Sequence, residues 1–242
     1  MNSSMWIATI ALGLACAGSC SKKTGDASGG NASSATPAAP AATKADADAI
    51  NALVPAELKD KIAFEVGTID DGMGRHQTTY ALVVPKGWKR GFMPGSLEPA
   101  DADSFGSKTL GKTTLKVGSN CDGSCTAKDW AAVVDKVYYK QFTSGEVTGK
   151  VIKDDKQKNR RTLVFQQEPT VQENAGTMTT TVNGKTATTS VTATSGSKGI
   201  RVIETWWTDG DSKHYVCEAE LGEPAMALAA AFEKACDKVS EQ

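Results

Sequence analysis

The sequence predicts an α+β fold, an antiparallel β-sheet packed with helices, behind a signal peptide and a disordered linker. Three observations carry this. Short β-branched and aromatic runs outnumber the amphipathic helical stretches and are joined mostly by Asp, Asn and Gly turn signals, which argues for hairpins rather than crossovers. Two stretches, one central and one terminal, repeat apolar residues at helical spacing. An apolar run at the start ends on a cysteine and gives way to Ala, Ser, Gly and Pro. Setting that start aside leaves roughly 195 of the 242 residues, enough for a single domain with one sizeable core.

The apolar run, Met5 to Gly18, has the length of a secretory h-region and falls short of the roughly 20 residues a membrane span needs. It leads into Ala17-Gly18-Ser19-Cys20-Ser21, and small residues before a cysteine resemble the lipobox of bacterial lipoproteins. The resemblance implies cleavage before the cysteine and acylation of its thiol. Residues 1–19 are therefore expected to be a lipoprotein signal peptide, with Cys20 as the lipid attachment site because hydrophilic chain begins directly after it. The first four residues carry no Lys or Arg, and Ala17 stands where that family prefers Leu. Cys16, preceded by Gly13-Leu14-Ala15, is the alternative acceptor, and an ordinary cleaved signal with a soluble product is the third reading. Acylation matters because each buried methylene contributes about 0.8 kcal/mol, so several chains on one cysteine anchor essentially permanently.

Residues 20–47 are expected to be a lipidated tether rich in Ala, Ser, Gly and Pro, with too little apolar surface to offset its ordering entropy. Such a linker of roughly 25 residues has a root-mean-square reach of about 25 to 30 Å. The single domain follows over 48–242.

Within it, Ile50, Leu53, Val54 and Leu58 share one side of a helical stretch from Asp46 to Lys61 that Pro55 interrupts. Ile62–Ile69 and Thr78–Val84 read as strands of a hairpin turned at Asp70-Asp71-Gly72. Thr126-Ala-Lys-Asp129 reads as a capping box before Trp130, Val133, Val134, Val137 and Tyr138, one apolar stripe of a helix. Strands follow at Gly149–Asp154 and Arg161–Gln167, then at Ile200–Trp207 and His214–Leu221. Glu223-Pro224 opens a last helix with Leu228, Phe232, Cys236 and Val239 on one stripe. An insertion at about 170–198 carries ten threonines, and Val182-Asn183-Gly184-Lys185 at its centre is a type I′ turn signal. A projecting β-ribbon and an insertion without fixed structure both fit that composition.

Tyr80-Ala-Leu-Val-Val-Pro85-Lys-Gly-Trp88 resembles the hallmark of the PsbP-like family, which includes the Ran-binding Mog proteins. The unit from His214 to Leu221 with its following helix is similar in layout. The resemblance covers about residues 48–242 and implies an α/β/α sandwich whose members are mostly non-catalytic binding or assembly factors. Fold likeness transfers no partner.

Cys121, Cys125, Cys217 and Cys236 form an even set in the folded part, which in an exported chain favours disulfides. Cys121–Cys125 with Cys217–Cys236 is one of three connectivities. A four-cysteine zinc site is the alternative, against which stands the separation of the second pair by 19 residues, since zinc ligands come as close pairs. Gly106-Ser-Lys-Thr-Leu-Gly111-Lys112-Thr113 matches the phosphate-binding loop, but that loop must follow a strand and open a helix, and here Thr114-Leu-Lys-Val-Gly118 reads as a strand. Asp101-Ala-Asp103-Ser-Phe-Gly106 begins like a calcium loop yet has Lys112 where the bidentate Glu belongs, and reads as an acidic turn. Neither His76 nor His214 has the companions of a zinc or serine-hydrolase motif.

Trp206 and Trp207 must face opposite sides of their strand, and either is a candidate to hold a ligand. With 27 basic against 28 acidic residues there is no surplus to attract nucleic acid, and export removes the nucleotide pool. The expected function is a non-enzymatic lipoprotein of the cell envelope, at the outer membrane facing the periplasm, without cofactor or metal. Its expected partners are the bilayer and an envelope protein or small ligand. The rival is an extracytoplasmic metal-binding protein or hydrolase using the cysteines or scattered carboxylates.

Overall fold

The computed structural model describes residues 41–72, 78–120, 129–183, 185–209 and 213–242. Cys16, Cys20, most of the expected tether, His76, Cys121 and Cys125 lie outside the described residues. Pro37–Gln242 form one compact unit.

Helix α1, Lys44–Ala52, starts inside the stretch whose composition suggests tether. A capping box explains this early start: the Thr43 hydroxyl accepts from Asp46 N at 3.2 Å, and Thr43 N donates to Asp46 Oδ2 at 3.0 Å. Ala47 and Ile50 are buried, and after Pro55 a single 3₁₀ turn, Ala56–Leu58, buries Leu58. The Asn51 amide clamps both backbone groups of Phe64, at 2.7 and 2.8 Å, and so fixes α1 on the strand that follows.

That strand, β1 (Phe64–Asp70), pairs with β2 (Thr79–Pro85) as the expected hairpin, in register from Phe64↔Pro85 to Asp70↔Thr79. A small sheet of three strands is completed by β12 (Ser240–Glu241), which pairs with β2 from its other side. The main sheet has seven antiparallel strands in the order β3-β4-β5-β11-β10-β7-β6. Its members are β3 (Lys89–Arg90), β4 (Ser96–Glu98), β5 (Thr114–Asn120), β6 (Gly149–Gln157), β7 (Arg160–Gln167), β10 (Gly199–Trp207) and β11 (His214–Gly222). β6 runs three residues beyond the expected Asp154 because the charged stretch Asp155-Lys156-Gln157 pairs with β7, leaving only Lys158-Asn159 to turn.

Helices cover both faces of this sheet. On one face a 3₁₀ segment, Glu223–Leu228, leads into α4 (Ala229–Cys236), whose Ala231, Phe232 and Ala235 pack on Val202, Val117, Ala219 and Leu221. Phe232 also meets Phe64 of β1 edge-on at 5.3 Å and Trp88 at 5.8 Å, so α4 lies between the two sheets. The Cys217–Cys236 disulfide joins β11 to the end of α4, with Cα atoms 5.5 Å apart. These two thiols are thereby removed from any zinc site.

On the other face Leu163, Phe165, Ile203, Trp207 and Val216 pack against α2 (Trp130–Val134) and α3 (Lys140–Thr143). Asp129 itself caps α2, accepting from Ala132 N at 3.0 Å. Between α2 and α3 lies a π turn, Asp135–Tyr139, that displaces the expected stripe. Val137 is 50% exposed, while Tyr139, five positions after Val134, is fully buried. The wider turn inserts one residue and rotates every later side chain, a known consequence of π-bulges. Arg161 accounts for its stability: the buried guanidinium binds Asp154 through two nitrogens at 2.8 and 2.9 Å, binds Asp135 in the π turn, and lies 4.2 Å over the Tyr139 ring. Tyr139 Oη donates in return to the Arg161 carbonyl at 2.8 Å.

The threonine-rich insertion is a β-ribbon, β8 (Thr170–Val182) with β9 (Lys185–Ser195), forming a two-stranded sheet of its own. Asn183 takes the positive φ of 50° that a type I′ turn demands. The ribbon leaves the main sheet between β7 and β10, where Gln167 and Gly199 are paired neighbours, so it stands in place of a hairpin turn. Replacing residues 170–196 with Asn-Gly should therefore keep the melting temperature within about 2 °C of the parent in thermal unfolding. A much larger fall would mean that the ribbon supports the core.

Candidate functional site

Strand alternation places Arg160, Thr162, Val202, Glu204 and Trp206 on the face that α4 covers. Val202 lies under the helix, but Glu204 and Arg160 emerge at its flank, where α4 presents Glu233 and Lys234, its C-cap presents Asp237, and the edge strand β6 presents Lys153 and Asp155. Together they line a cleft of about 380 Å³, which suits a small polar ligand.

Glu204 forms the floor. Its side chain is only 2% exposed, its Oε1 is bound by Arg160 Nη2, and its Oε2 accepts from Thr162 Oγ1 at 3.3 Å. Arg160 is shared with Asp237, the C-cap of α4, at 3.0 Å. Burial pushes the Glu204 carboxyl above the usual carboxylate range, against the pull of Arg160, and Asp237 adds to the rise. The rim is more exposed: Lys153 bridges Glu233 and is held above its usual value by that bond, and Lys234 pairs with Asp237 at 3.1 Å. Three cations thus face four carboxylates, Asp155 included, and a ligand group entering the cleft competes with Arg160 for Glu204 or with Glu204 and Asp237 for Arg160.

The residues singled out by sequence fall elsewhere. Trp207 is buried beneath α2, and Trp206, on the opposite face, stacks on Tyr215 with ring centroids 5.5 Å apart. His214 is buried between Trp130 and Tyr138, with Nε2 3.1 Å from the Tyr138 hydroxyl. The Gly106–Thr113 loop runs into β5, a strand, and its Thr113 hydroxyl accepts from Gly222 N at 3.2 Å. In the acidic turn before it, Asp103 Oδ1 accepts from Phe105 N at 2.8 Å. Among the described residues no three His, Cys, Asp or Glu side chains converge on a metal-sized site.

Glu204 and Arg160 are absent from the sequence-derived candidates. The available signal is an acid whose neighbours two positions away, Val202 and Trp206, both belong on a packed face. No protein-family model matches this chain, and no curated protein is detectably similar to it in sequence.

A carboxyl raised by folding contributes stability that is complete below its unfolded pKa and is lost as pH rises through the folded value. Asp154, held low by Arg161, has the opposite sign and loses its contribution as pH falls. Glu204→Gln removes only the first effect. Denaturant unfolding should show the variant gaining stability relative to the parent on going from about pH 4 to about pH 7. A difference independent of pH would contradict the burial assigned to Glu204.

Proposed function

We propose that the chain is a lipid-anchored protein of the bacterial cell envelope whose α+β domain is a non-enzymatic binding module, with the Glu204 cleft as its ligand site. The observation that carries the reading is the bridge between Cys217 and Cys236, two buried cysteines on separate elements, because structural disulfides belong to oxidising compartments. It supports the same export that the apolar run ending at Cys20 suggests. No helix among the described residues is long and apolar enough to cross a membrane, and an acylated Cys20, or Cys16 in its place, supplies attachment instead. The outer membrane, with the domain in the periplasm, is the proposed location.

The PsbP-like relationship belongs to the same proposal. The two segments that carry the resemblance meet on one helix: Trp88, at the end of the Tyr80–Trp88 motif, packs on Phe232 of α4, and His214–Leu221 lies within β11, which α4 covers. That convergence supports reading the two segments as parts of one layout, and a binding or assembly role goes with it.

Metabolic labelling with a palmitate analogue tests the anchor. The parent should label, Cys20→Ala should lose the label, and Cys16→Ala should keep it. The reverse pattern moves the anchor to Cys16, and a parent that takes up no label contradicts the lipoprotein reading.

A further inference from the structure

The ribbon β8–β9 has two edges, and neither has a partner strand among the described residues. Val182 and Lys185 pair across a two-residue turn, and the register runs unbroken from there to Gly176↔Val191. In an antiparallel hairpin the pair that flanks such a turn exchanges both backbone bonds, and bonded and non-bonded pairs alternate after it. Met178 and Thr180 therefore bond inward to β9, while the N–H and C=O groups of Thr177, Thr179 and Thr181 point out of the ribbon. The hydroxyls of Thr181 and Thr186 lie 3.1 Å apart, the close approach of a pair whose backbone groups face away from each other.

The other sheet edges among the described residues are guarded. β6 carries Lys150, Lys153 and Lys156 and a bulge after Val151, β3 and β12 are two residues long, and β1 carries Glu65 and Asp70. Edge charges, bulges and shortness are the devices by which natural proteins keep sheet edges from pairing. β8 has none of them from Gly176 to Val182, a run of seven residues without charge or proline, four of them threonine. Met178, in its middle, is 60% exposed. An edge left open in a chain that closes its others is fitted for strand addition.

We infer that two copies of the chain associate edge to edge through β8, about a two-fold axis at Met178, into a symmetric dimer. In that antiparallel register Thr177 of each copy faces Thr179 of the other and exchanges both backbone bonds with it. Met178 faces its own counterpart as a non-bonded pair, whose Cα atoms approach to about 4.5 Å. The pairing unites the outward donors and acceptors, sets no like charges opposite each other, buries the exposed methionine and places threonine beside threonine, a favourable cross-strand pair. The β9 edge lacks this complement: Ala187 and Thr189 stand between its outward residues Thr186, Thr188 and Ser190, with no apolar side chain of that size to bury.

Native mass spectrometry of the full chain, released from detergent micelles, tests this. The parent should show twice the mass of one chain as protein concentration rises. Thr179→Pro should abolish the doubled species, because the N–H that it removes faces outward and the ladder with β9 is untouched. Met178→Lys, which gives β8 the guard that β6 has, should do the same, whereas Thr188→Pro, the equivalent change on the β9 edge, should leave the dimer intact. All three variants should melt within about 2 °C of the parent, since the ribbon stands apart from the core. A dimer that persists in both β8 variants, or is lost equally in Thr188→Pro, overturns the inference. A parent that stays a single chain also overturns it and leaves the edge to a strand of another protein. The outcome is independent of the anchor, since association through an acyl chain or an apolar leader would survive both β8 substitutions.

Discussion

The seating of α4 is the constraint on which most of this structure depends, and the Cys217–Cys236 bridge enforces it. The bridge fastens the end of the helix to β11, a strand flanked on both sides in the main sheet. From that position Phe232 fills the space between the main sheet, Phe64 and Trp88, Glu233 and Asp237 wall the charged cleft, and the chain continues into β12 to complete the small sheet. A loop of this length contributes about 3 kcal/mol on the chain-entropy model, a large share of a typical domain's margin. Arg160 adds a polar tie between the same helix and β10, because it binds Asp237 and Glu204 together.

The opposite face is held differently. There the helical layer is short and interrupted by the π turn, and its position depends on Arg161 reaching Asp135 and Asp154 while covering Tyr139. Desolvating a guanidinium is costly, and the bonds to Asp135 and Asp154 offset that cost. The two faces therefore divide the work: the disulfide face builds the cleft, and the arginine face closes the core.

What the sequence made legible follows from the range of the interactions involved. The β1–β2 and β10–β11 hairpins, the terminal helix and the opposite orientations of Trp206 and Trp207 arise from local alternation and turn chemistry, and they appear where the residues indicate. The π turn was not legible, because the residue that stabilises it, Arg161, lies 22 positions beyond Tyr139. β12 is two residues long, too short to show alternation. The start of α1 was hidden by its setting, since Thr43 and Asp46 form a capping box within a composition that otherwise reads as linker. The cleft escaped for a related reason: Glu204 and Arg160 are 44 residues apart, and only the β7–β10 register brings them together.

The structure is a helix-pinned α+β core with a charged cleft beside that helix. The central claim is that the helix is pinned covalently in the protein as it is made. The direct measurement is peptide mapping by mass spectrometry of the full chain recovered from producing cells, alkylated under denaturing conditions without reductant. The account predicts that the peptides containing Cys217 and Cys236 are recovered joined and free of alkyl label. Recovery of both as separate, alkylated peptides would contradict it and remove the main structural support for export.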